Sequence, residues 1–110
     1  MTYTVVATER AARDIEDATE WWAQHHSVEQ AERWYSGIRQ AIAELCTEAE
    51  RCAIAAEQKR FSYPIRELHY GAGSKAHPTH RAIFTIVGQT VLVLTVRHAG
   101  RALLRPRDLD

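Results

Sequence analysis

Apolar and polar residues alternate with two different periods, which divides the chain into a helical N-terminal half and a C-terminal half of strands. Tyr3 to Ala7 is a short β-branched and aromatic run that predicts one strand, and Thr8 follows it as a helix N-cap. Apolar residues then recur at steps of three and four, at Ala11, Ile15, Ala18 and Trp22. This spacing predicts an amphipathic helix that ends near His25.

A second helix is predicted directly after the first. Ser27 and Gln30 form a Ser-x-x-Gln capping box, which is typical of a helix start. The apolar stripe that follows consists of Ala31, Trp34, Tyr35, Ile38, Ile42, Leu45 and Ala49. Because about two residues separate the two helices, we expect them to pack as an antiparallel hairpin.

Three strands are predicted in the C-terminal half, over Ile65 to Tyr70, His80 to Val87 and Val91 to His98. Gly88 and Gln89 separate the last two, and Gly at the first position of a two-residue loop is typical of a type II′ hairpin. The stretch from Arg51 to Pro64 is mixed and predicts no element. The predicted fold class is α+β: an N-terminal strand, a helical hairpin, and a three-stranded antiparallel meander that the hairpin covers on one face.

Size and composition allow one domain that spans residues 1–110, because 110 residues with 45% apolar content supply one modest core. No apolar run is long enough to span a membrane, and the N-terminus lacks a secretory signal, so we expect a cytoplasmic protein without membrane contact. Cys46 and Cys52 match no disulfide framework and are expected to be reduced.

Charge is divided unevenly along the chain, although the total is zero. Residues 1–57 contain five Arg against eleven Asp and Glu, whereas residues 58–110 contain nine Lys and Arg against three acids. A site for an anion is therefore expected in the C-terminal half. The acidic helices oppose a phosphate backbone, so we expect negligible binding to bare RNA or DNA.

The hairpin loop predicts which side chains share a face of the sheet. An uninterrupted two-residue hairpin pairs Arg81 with Val96 and His80 with Arg97, which places Arg81 and His98 on one face. We expect the helices to cover the opposite face, which carries Phe84, and the C-terminal tail to cover part of the other. Arg81, His98 and Arg101 then form an open pocket, with Arg97 at its rim.

Two interpretations of this pocket stand side by side. A guanidinium fork matches a phosphate and an imidazole can transfer protons near neutral pH, which is the chemistry of phosphodiester cleavage. The alternative is that these arginines form structural ion pairs with carboxylates such as Glu67, Asp108 or Asp110.

Three segments together resemble the RelE/ParE superfamily of toxins from type II toxin–antitoxin pairs. They are Ile65-Arg66-Glu67-Leu68, the run His80-Arg81-Ala82-Ile83-Phe84-Thr85-Ile86, and Val91-Leu92-Val93-Leu94-Thr95-Val96-Arg97-His98-x-x-Arg101. With the order of strand, helical hairpin and meander, the resemblance spans nearly the whole chain. It implies a small toxin that a cognate antitoxin neutralises by wrapping across the sheet and helices.

The resemblance implies one of two targets. RelE-like members cut mRNA on the ribosome with basic residues of the sheet, and ParE-like members poison DNA gyrase without a known nuclease site. Arg81 matches the arginine of the family's Tyr-Arg-x-x-Tyr strand, here His-Arg-x-x-Phe, and Arg101 matches the basic residue after the last strand. No Tyr follows Tyr70, and the only lysines are Lys59 and Lys75, which favours the ParE-like, plasmid-stabilisation branch.

The alternatives remain an mRNA endoribonuclease and an inactive relic that only binds its antitoxin. A nuclease would use Arg81, Arg101 and His98 as catalytic residues, with His80 or Tyr70 as the second proton donor. A binding protein would use residues that contact the antitoxin or the target, namely Arg66, Arg97, Trp21, Leu103, Leu104 and Arg105.

No cofactor or metal is expected. A zinc site built from His77 and His80 with His69 or His98 is the third class of function considered, and the short spacing next to Pro78 is easily reached by accident.

Trp22 and Trp34 fall on helical apolar stripes and are expected in the core, whereas Trp21 lies beside the stripe and is assigned to the antitoxin interface.

Overall fold

The computed structural model describes residues 2–71 and 79–109. Within them lie five strands and three α-helices: β1 (Thr4–Ala7), α1 (Glu9–His25), α2 (Val28–Ala43), α3 (Leu45–Glu48), β2 (Ala53–Ile54), β3 (Arg66–Tyr70), β4 (His80–Val87) and β5 (Thr90–His98). Short 3₁₀ turns cover Ala49–Arg51, Gln58–Arg60 and Pro106–Leu109. The predicted α+β class and the order of its main elements are confirmed.

The strands form one sheet in the order β1-β5-β4-β3-β2. β1 runs parallel to β5, and the other neighbours are antiparallel. β2 was not predicted, because two residues are too short to show an alternating pattern. The predicted second helix is two helices in the structure: α2 ends at Ala43, and the short α3 begins after Glu44. The carbonyl of Cys46 in α3 accepts a hydrogen bond from the Tyr3 amide at 2.8 Å, which ties the helix end to the first strand.

Both predicted helix caps are present. The Thr8 hydroxyl accepts a hydrogen bond from the Ala11 amide, and the Ser27 hydroxyl accepts one from the Gln30 amide, each at 3.1 Å. These bonds satisfy amides that would otherwise lack partners at the helix starts, which explains why both helices begin where the sequence predicts.

Two apolar clusters lie on opposite faces of the sheet. The helix face, which α1 and α2 cover, buries Ile15, Trp34, Ile38, Phe84, Val91 and Val93 among others. The tail face is covered by residues 55–65 and the C-terminal tail, and buries Ala55, Phe61, Ile65, Ile83, Leu94 and Leu104. The expectations that the helices take the Phe84 face and that the tail covers part of the other face are confirmed.

A β-bulge in β5 changes which residues share a face. Close to the turn the register is the predicted one, with Phe84 opposite Val93 and Val87 opposite Thr90. Gly88, the first residue of the two-residue loop, has a φ of +60°, as a type II′ turn requires. No non-glycine residue in the described chain has a positive φ. Beyond the turn, however, Ile83 pairs with Thr95, so that Leu94 has no partner in β4.

The bulge makes part of the predicted register wrong. Arg81 lies opposite Arg97, not Val96, and His80 lies opposite His98, not Arg97. Arg81 and Arg97 therefore share the tail face, whereas His80 and His98 share the helix face. One extra residue inverts the facing of every side chain beyond it, because side chains alternate with a period of two.

The bulge is held by side chains of the segment that opens α1. The Thr8 hydroxyl donates to the Leu94 carbonyl at 3.1 Å, and the Asp14 carboxylate accepts from the Val96 amide at 3.1 Å and from the Thr95 hydroxyl. These bonds satisfy the backbone groups that a regular ladder would have paired.

In the described part of the chain, no helix is long and apolar enough to cross a membrane.

Candidate functional site

The two arginines of the tail face have different surroundings. Arg81 is 6% exposed and forms a bidentate ion pair with Glu57, which is 1% exposed. Its Nη2 lies 2.6 Å from Glu57 Oε2, and its Nη1 lies 2.9 Å from Glu57 Oε1 and 3.3 Å from Glu67 Oε1. Arg81 is therefore held in an internal ion pair, which is the structural alternative considered from the sequence.

The carboxylates of this network are tightly bound by donors. Burial alone would raise the pKa of Glu57, but hydrogen bonds from Arg81 and from the Leu104 amide outweigh it and lower that pKa to about 2. Glu67 Oε1 also accepts from the Ala56 amide at 2.8 Å, and Glu67 Oε2 contacts His69 Nε2. The network joins β3, β4 and the segment before β3, and its position in the interior indicates a structural role.

Arg97 is also buried, at 7% exposure, but it has no carboxylate partner among the described residues. Its Nη2 donates to the Ala102 carbonyl at 2.8 Å, and its Nε makes no hydrogen bond within the described chain. Burial, together with the positive charges of Arg101 and Arg81, lowers its pKa. Arg97 thus combines a buried charge with incomplete hydrogen bonding.

Arg97 lines a cleft of about 660 Å³ on the tail face, which we call the arginine cleft. Its walls come from α1, the turn before β3, β5 and the C-terminal tail. The charged and polar side chains that line it are Arg10, Arg60, Thr95, Arg97, Arg101, Arg105, Arg107 and Asp108. Six guanidinium groups against one carboxylate make it a strongly positive surface.

The imidazoles of His80 and His98 lie on the helix face, away from this cleft. Their ring centroids are 5.3 Å apart, and His80 packs against Trp34 at 4.9 Å. Burial and the nearby His98 lower the pKa of His80 to about 4, which keeps it neutral at physiological pH. Together with Trp21 and Trp22 the two histidines line a separate, largely apolar pocket of about 350 Å³.

The structure does not bring the predicted nuclease residues together. Arg81 is paired internally, His98 is exposed on the opposite face, and Arg101 lies at the arginine cleft. The proposed second donors lie near His98 and away from the arginines: His80 is its neighbour on the helix face, and Tyr70, paired with His80, contacts the Trp34 carbonyl of α2 at 3.5 Å. Among the described residues, no group of three ligating side chains could hold a metal ion. His77 lies outside the described residues.

The predicted binding residues divide between surface and core. Arg97 and Arg105 line the arginine cleft, and Leu103 beside them is 42% exposed. Leu104, in contrast, is fully buried in the tail-face cluster, so it supports the fold and offers no contact surface. Arg66 donates to the Cys52 carbonyl at 2.6 Å. Trp21 is exposed and stacks on His25 with a centroid distance of 4.6 Å.

Four residues of the site were missed from the sequence: Glu57, Arg10, Arg60 and Arg107. The basic bias of residues 58–110 could have indicated Arg60 and Arg107. Arg10 belongs to the acidic half, and Glu57 lies in the stretch that predicts no element. Only the packing of α1 and residues 55–65 against the sheet brings these two to the tail face.

Comparison with known proteins identifies the family. Residues 5–103 match the family model of the ParE toxin of the type II toxin–antitoxin system parDE. The chain therefore belongs to the ParE toxin family. No significant match was found among curated protein sequences.

Two solved structures share the fold of this ParE family member. A chain of the chromosomal ParDE TA system from P. aeruginosa superposes with a TM-score of 0.66 at 17% identity, covering 88% of this chain and 96% of that chain. A chain of the toxin–antitoxin complex RelBE2 from Mycobacterium tuberculosis superposes with a TM-score of 0.58 at 21% identity, covering 89% and 99% respectively.

Proposed function

We propose that this ParE family toxin inhibits growth by binding DNA gyrase, that it cleaves no RNA, and that a cognate antitoxin protein neutralises it. The observation that carries the proposal is the position of Arg81. Its guanidinium is bound by Glu57 and Glu67 in the interior. Both Nη groups already donate to these carboxylates, so they are not available to bind a scissile phosphate.

The separation of acid–base groups from the arginines supports the same conclusion. General acid–base cleavage needs a proton-transferring side chain within hydrogen-bond reach of the phosphate that the arginines hold. His80 and His98 lie on the helix face, whereas Arg97 and Arg101 line the cleft on the tail face. A protein that acts by binding needs no such constellation, only an exposed surface of suitable chemistry.

The exposed tail that forms one wall of the arginine cleft is the surface that we assign to the target. Leu103 offers an exposed apolar side chain, and Arg105 and Arg107 line the same cleft. Aromatic, apolar and arginine side chains of this kind dominate protein interfaces. The two similar structures come from toxin–antitoxin complexes, which supports an antitoxin as the second partner.

The proposal is tested by supercoiling assays with purified gyrase. We expect the protein to inhibit supercoiling and His98→Ala to inhibit as strongly. Leu103→Ala should inhibit about tenfold more weakly, because it removes an apolar contact at the centre of the assigned interface. Ile54→Ala is the matched control, because Ile54 is an exposed apolar residue on the far edge of the sheet. Truncation before the tail is unsuitable, since it removes the buried Leu104.

Three results would each overturn the proposal. One is a complete lack of effect on supercoiling. Another is ribosome-dependent mRNA cleavage that Arg101→Ala or His98→Ala abolishes, which would establish the nuclease alternative. The third is expression that leaves growth unchanged while the antitoxin still copurifies, which would establish the inactive relic.

A further inference from the structure

We propose that a pocket between the helical hairpin and the end of β3 binds a small planar aromatic carboxylate. The pocket has a volume of about 260 Å³, and we call it the indole pocket. The described residues that line it are Trp22 of α1, Gln30, Arg33 and Trp34 of α2, and Tyr70 and Gly71 where β3 ends. It lies on the helix face, away from the arginine cleft, and the proposal goes beyond the proposed function without resting on it.

The first argument is a pair of buried donors without acceptors. Trp22 Nε1 and Trp34 Nε1 are both buried, and neither makes a hydrogen bond within the described chain. Trp34 is only 5% exposed, which leaves little access for water at its ring. Buried indole N–H groups normally have a partner, because an unpaired donor in the interior costs free energy. Both donors belong to rings that line one pocket, which is where an acceptor on a ligand would satisfy them.

The second argument is the charge of the polar groups at the pocket. Arg33 is exposed and has no carboxylate within 4 Å among the described residues. Gln30 adds a side-chain amide and lies in the first turn of α2, at the positive end of the helix dipole. No carboxylate of the described chain lines the pocket. These donors favour an anionic acceptor, and a guanidinium fork binds a carboxylate through two parallel hydrogen bonds.

The third argument is the aromatic character of the walls. Trp34 and Tyr70 pack edge to face, with ring centroids 6.2 Å apart, and Trp22 adds a third ring to the lining. Aromatic walls favour a planar ring, which can stack on one wall and pack edge to face on another. The volume lies below the range of drug-sized sites, which is about 300–1,000 Å³, so the ring system of the ligand must be small.

A carboxylate fits the charge of the pocket better than a phosphate does. One guanidinium, that of Arg33, lines the pocket among the described residues, and it matches a single negative charge. A phosphate monoester carries between one and two negative charges at neutral pH. The exposed Glu29 and Glu32 precede Gln30 and Arg33 along α2, so they would repel the additional charge.

The test is an NMR titration of the full chain, with the three indole N–H signals assigned through Trp21→Phe and Trp22→Phe. The probes are the aromatic carboxylate 2-naphthoate, its neutral isostere 2-naphthamide, and acetate. We expect saturable binding of naphthoate with a Kd on the order of 0.1 mM, typical of so small a ligand, and no saturable binding of the other two. The indole proton of Trp22 or Trp34 should move downfield as it gains an acceptor. The indole proton of Trp21, which does not line this pocket, should move less.

Arg33→Gln should weaken naphthoate binding about tenfold or more, the range of a lost charged hydrogen bond. Because Arg33 is exposed, its replacement leaves the core intact. Arg39→Gln is the matched control on the same helix, because Arg39 is also exposed and donates to the Tyr35 hydroxyl outside the pocket. It should bind naphthoate as the wild type does.

Four results would each overturn the proposal. They are the absence of saturable naphthoate binding, equal binding of the neutral amide, unchanged affinity in Arg33→Gln, and binding that moves neither the Trp22 nor the Trp34 indole proton downfield. Saturable binding of acetate with the affinity of naphthoate would also overturn it, because the pocket would then recognise charge without an aromatic ring.

Discussion

Arg81 and Glu57 are joined by a two-pronged ion pair in the interior, 24 residues apart in sequence, with nitrogen–oxygen distances of 2.6 and 2.9 Å. The pair fastens the segment before β3 to the centre of the sheet, and Glu57 also accepts from the Leu104 amide of the C-terminal tail. One carboxylate therefore holds three parts of the tail face together. The residue that the family resemblance marks as catalytic has, in this chain, a structural partner.

Replacing Glu57 with Gln should lower the free energy of unfolding by about 3 kcal/mol, because it removes one partner of a buried ion pair. Urea denaturation at neutral pH measures the change. Arg51→Gln is the control for an exposed pair and should change stability by less than about 1 kcal/mol. Equal stability of Glu57→Gln and the wild type would show that the pair contributes nothing to the fold.

Acid should destabilise the protein through the same carboxylate. The folded-state pKa of Glu57 is about 2 against an ordinary value of 4.5, so the folded state favours the charged form. Its contribution is fully present above pH 4.5 and is lost as the pH falls from about 4.5 to 2, with a total on the order of 3 kcal/mol. Urea midpoints measured across this range should fall steeply in the wild type and less steeply in Glu57→Gln. Parallel profiles would contradict the assignment.

His80 should make folding stability depend on pH in a higher range than Glu57 does. Burial lowers its pKa from 6.5 to about 4, so the folded state favours the neutral imidazole. At pH values well above 6.5 the imidazole is neutral in both the folded and the unfolded state and does not affect stability. As the pH falls from 6.5 to about 4, the unfolded state takes up the proton first, so the folded state loses stability. His80→Gln should flatten the pH dependence of stability in this window, whereas His25→Gln, at an exposed helix end, should leave it unchanged. A slope that persists in His80→Gln would assign the effect to another group.

Asp14 should be needed for the bulge in β5. Asp14→Ala leaves the Val96 amide and the Thr95 hydroxyl without their acceptor, which should cost about 1 to 3 kcal/mol. Asp17→Ala removes an exposed carboxylate three residues later on α1 and should stay within about 0.5 kcal/mol of the wild type. Thermal unfolding of both variants compares them directly. A neutral Asp14→Ala would show that the strand satisfies its own bulge.

Gly37 should be intolerant of Ala although it lies inside α2. A β-carbon there would lie 1.7 Å from Tyr70 Oη and 2.8 Å from Tyr70 Cζ, so the tyrosine would have to leave its place against Trp34. Helix propensity favours Ala by about 1 kcal/mol, but the clash should exceed it and give a net loss of about 1 to 2 kcal/mol. Ser36→Ala, at the exposed neighbour, should be neutral or slightly stabilising. Higher stability of Gly37→Ala than of the wild type would refute the clash.

The elements with strong local signals were predictable from the sequence. The caps at Thr8 and Ser27, the apolar stripe of α1 and the Gly88 turn depend on neighbouring residues, so their patterns can be read directly. β2 could not be predicted, because Ala53 and Ile54 form a strand only by pairing with Glu67 and Arg66. The interruption at Glu44 was likewise missed, because the apolar stripe runs through it without a change.

The sequence alone determined the α+β order and the family resemblance, because each follows from periodicity or from residues close in the chain. It favoured the Phe84 face as the one that the helices cover, but both faces of the predicted sheet carry apolar residues, so only the packing decided this. Tertiary structure decided the site. The bulge at Leu94 exists because Thr8 and Asp14, more than eighty residues away, supply its hydrogen bonds. That single shift places Arg97 beside Arg81 and His98 beside His80. The arginine cleft therefore depends on contacts between distant residues, which no local pattern in the sequence contains.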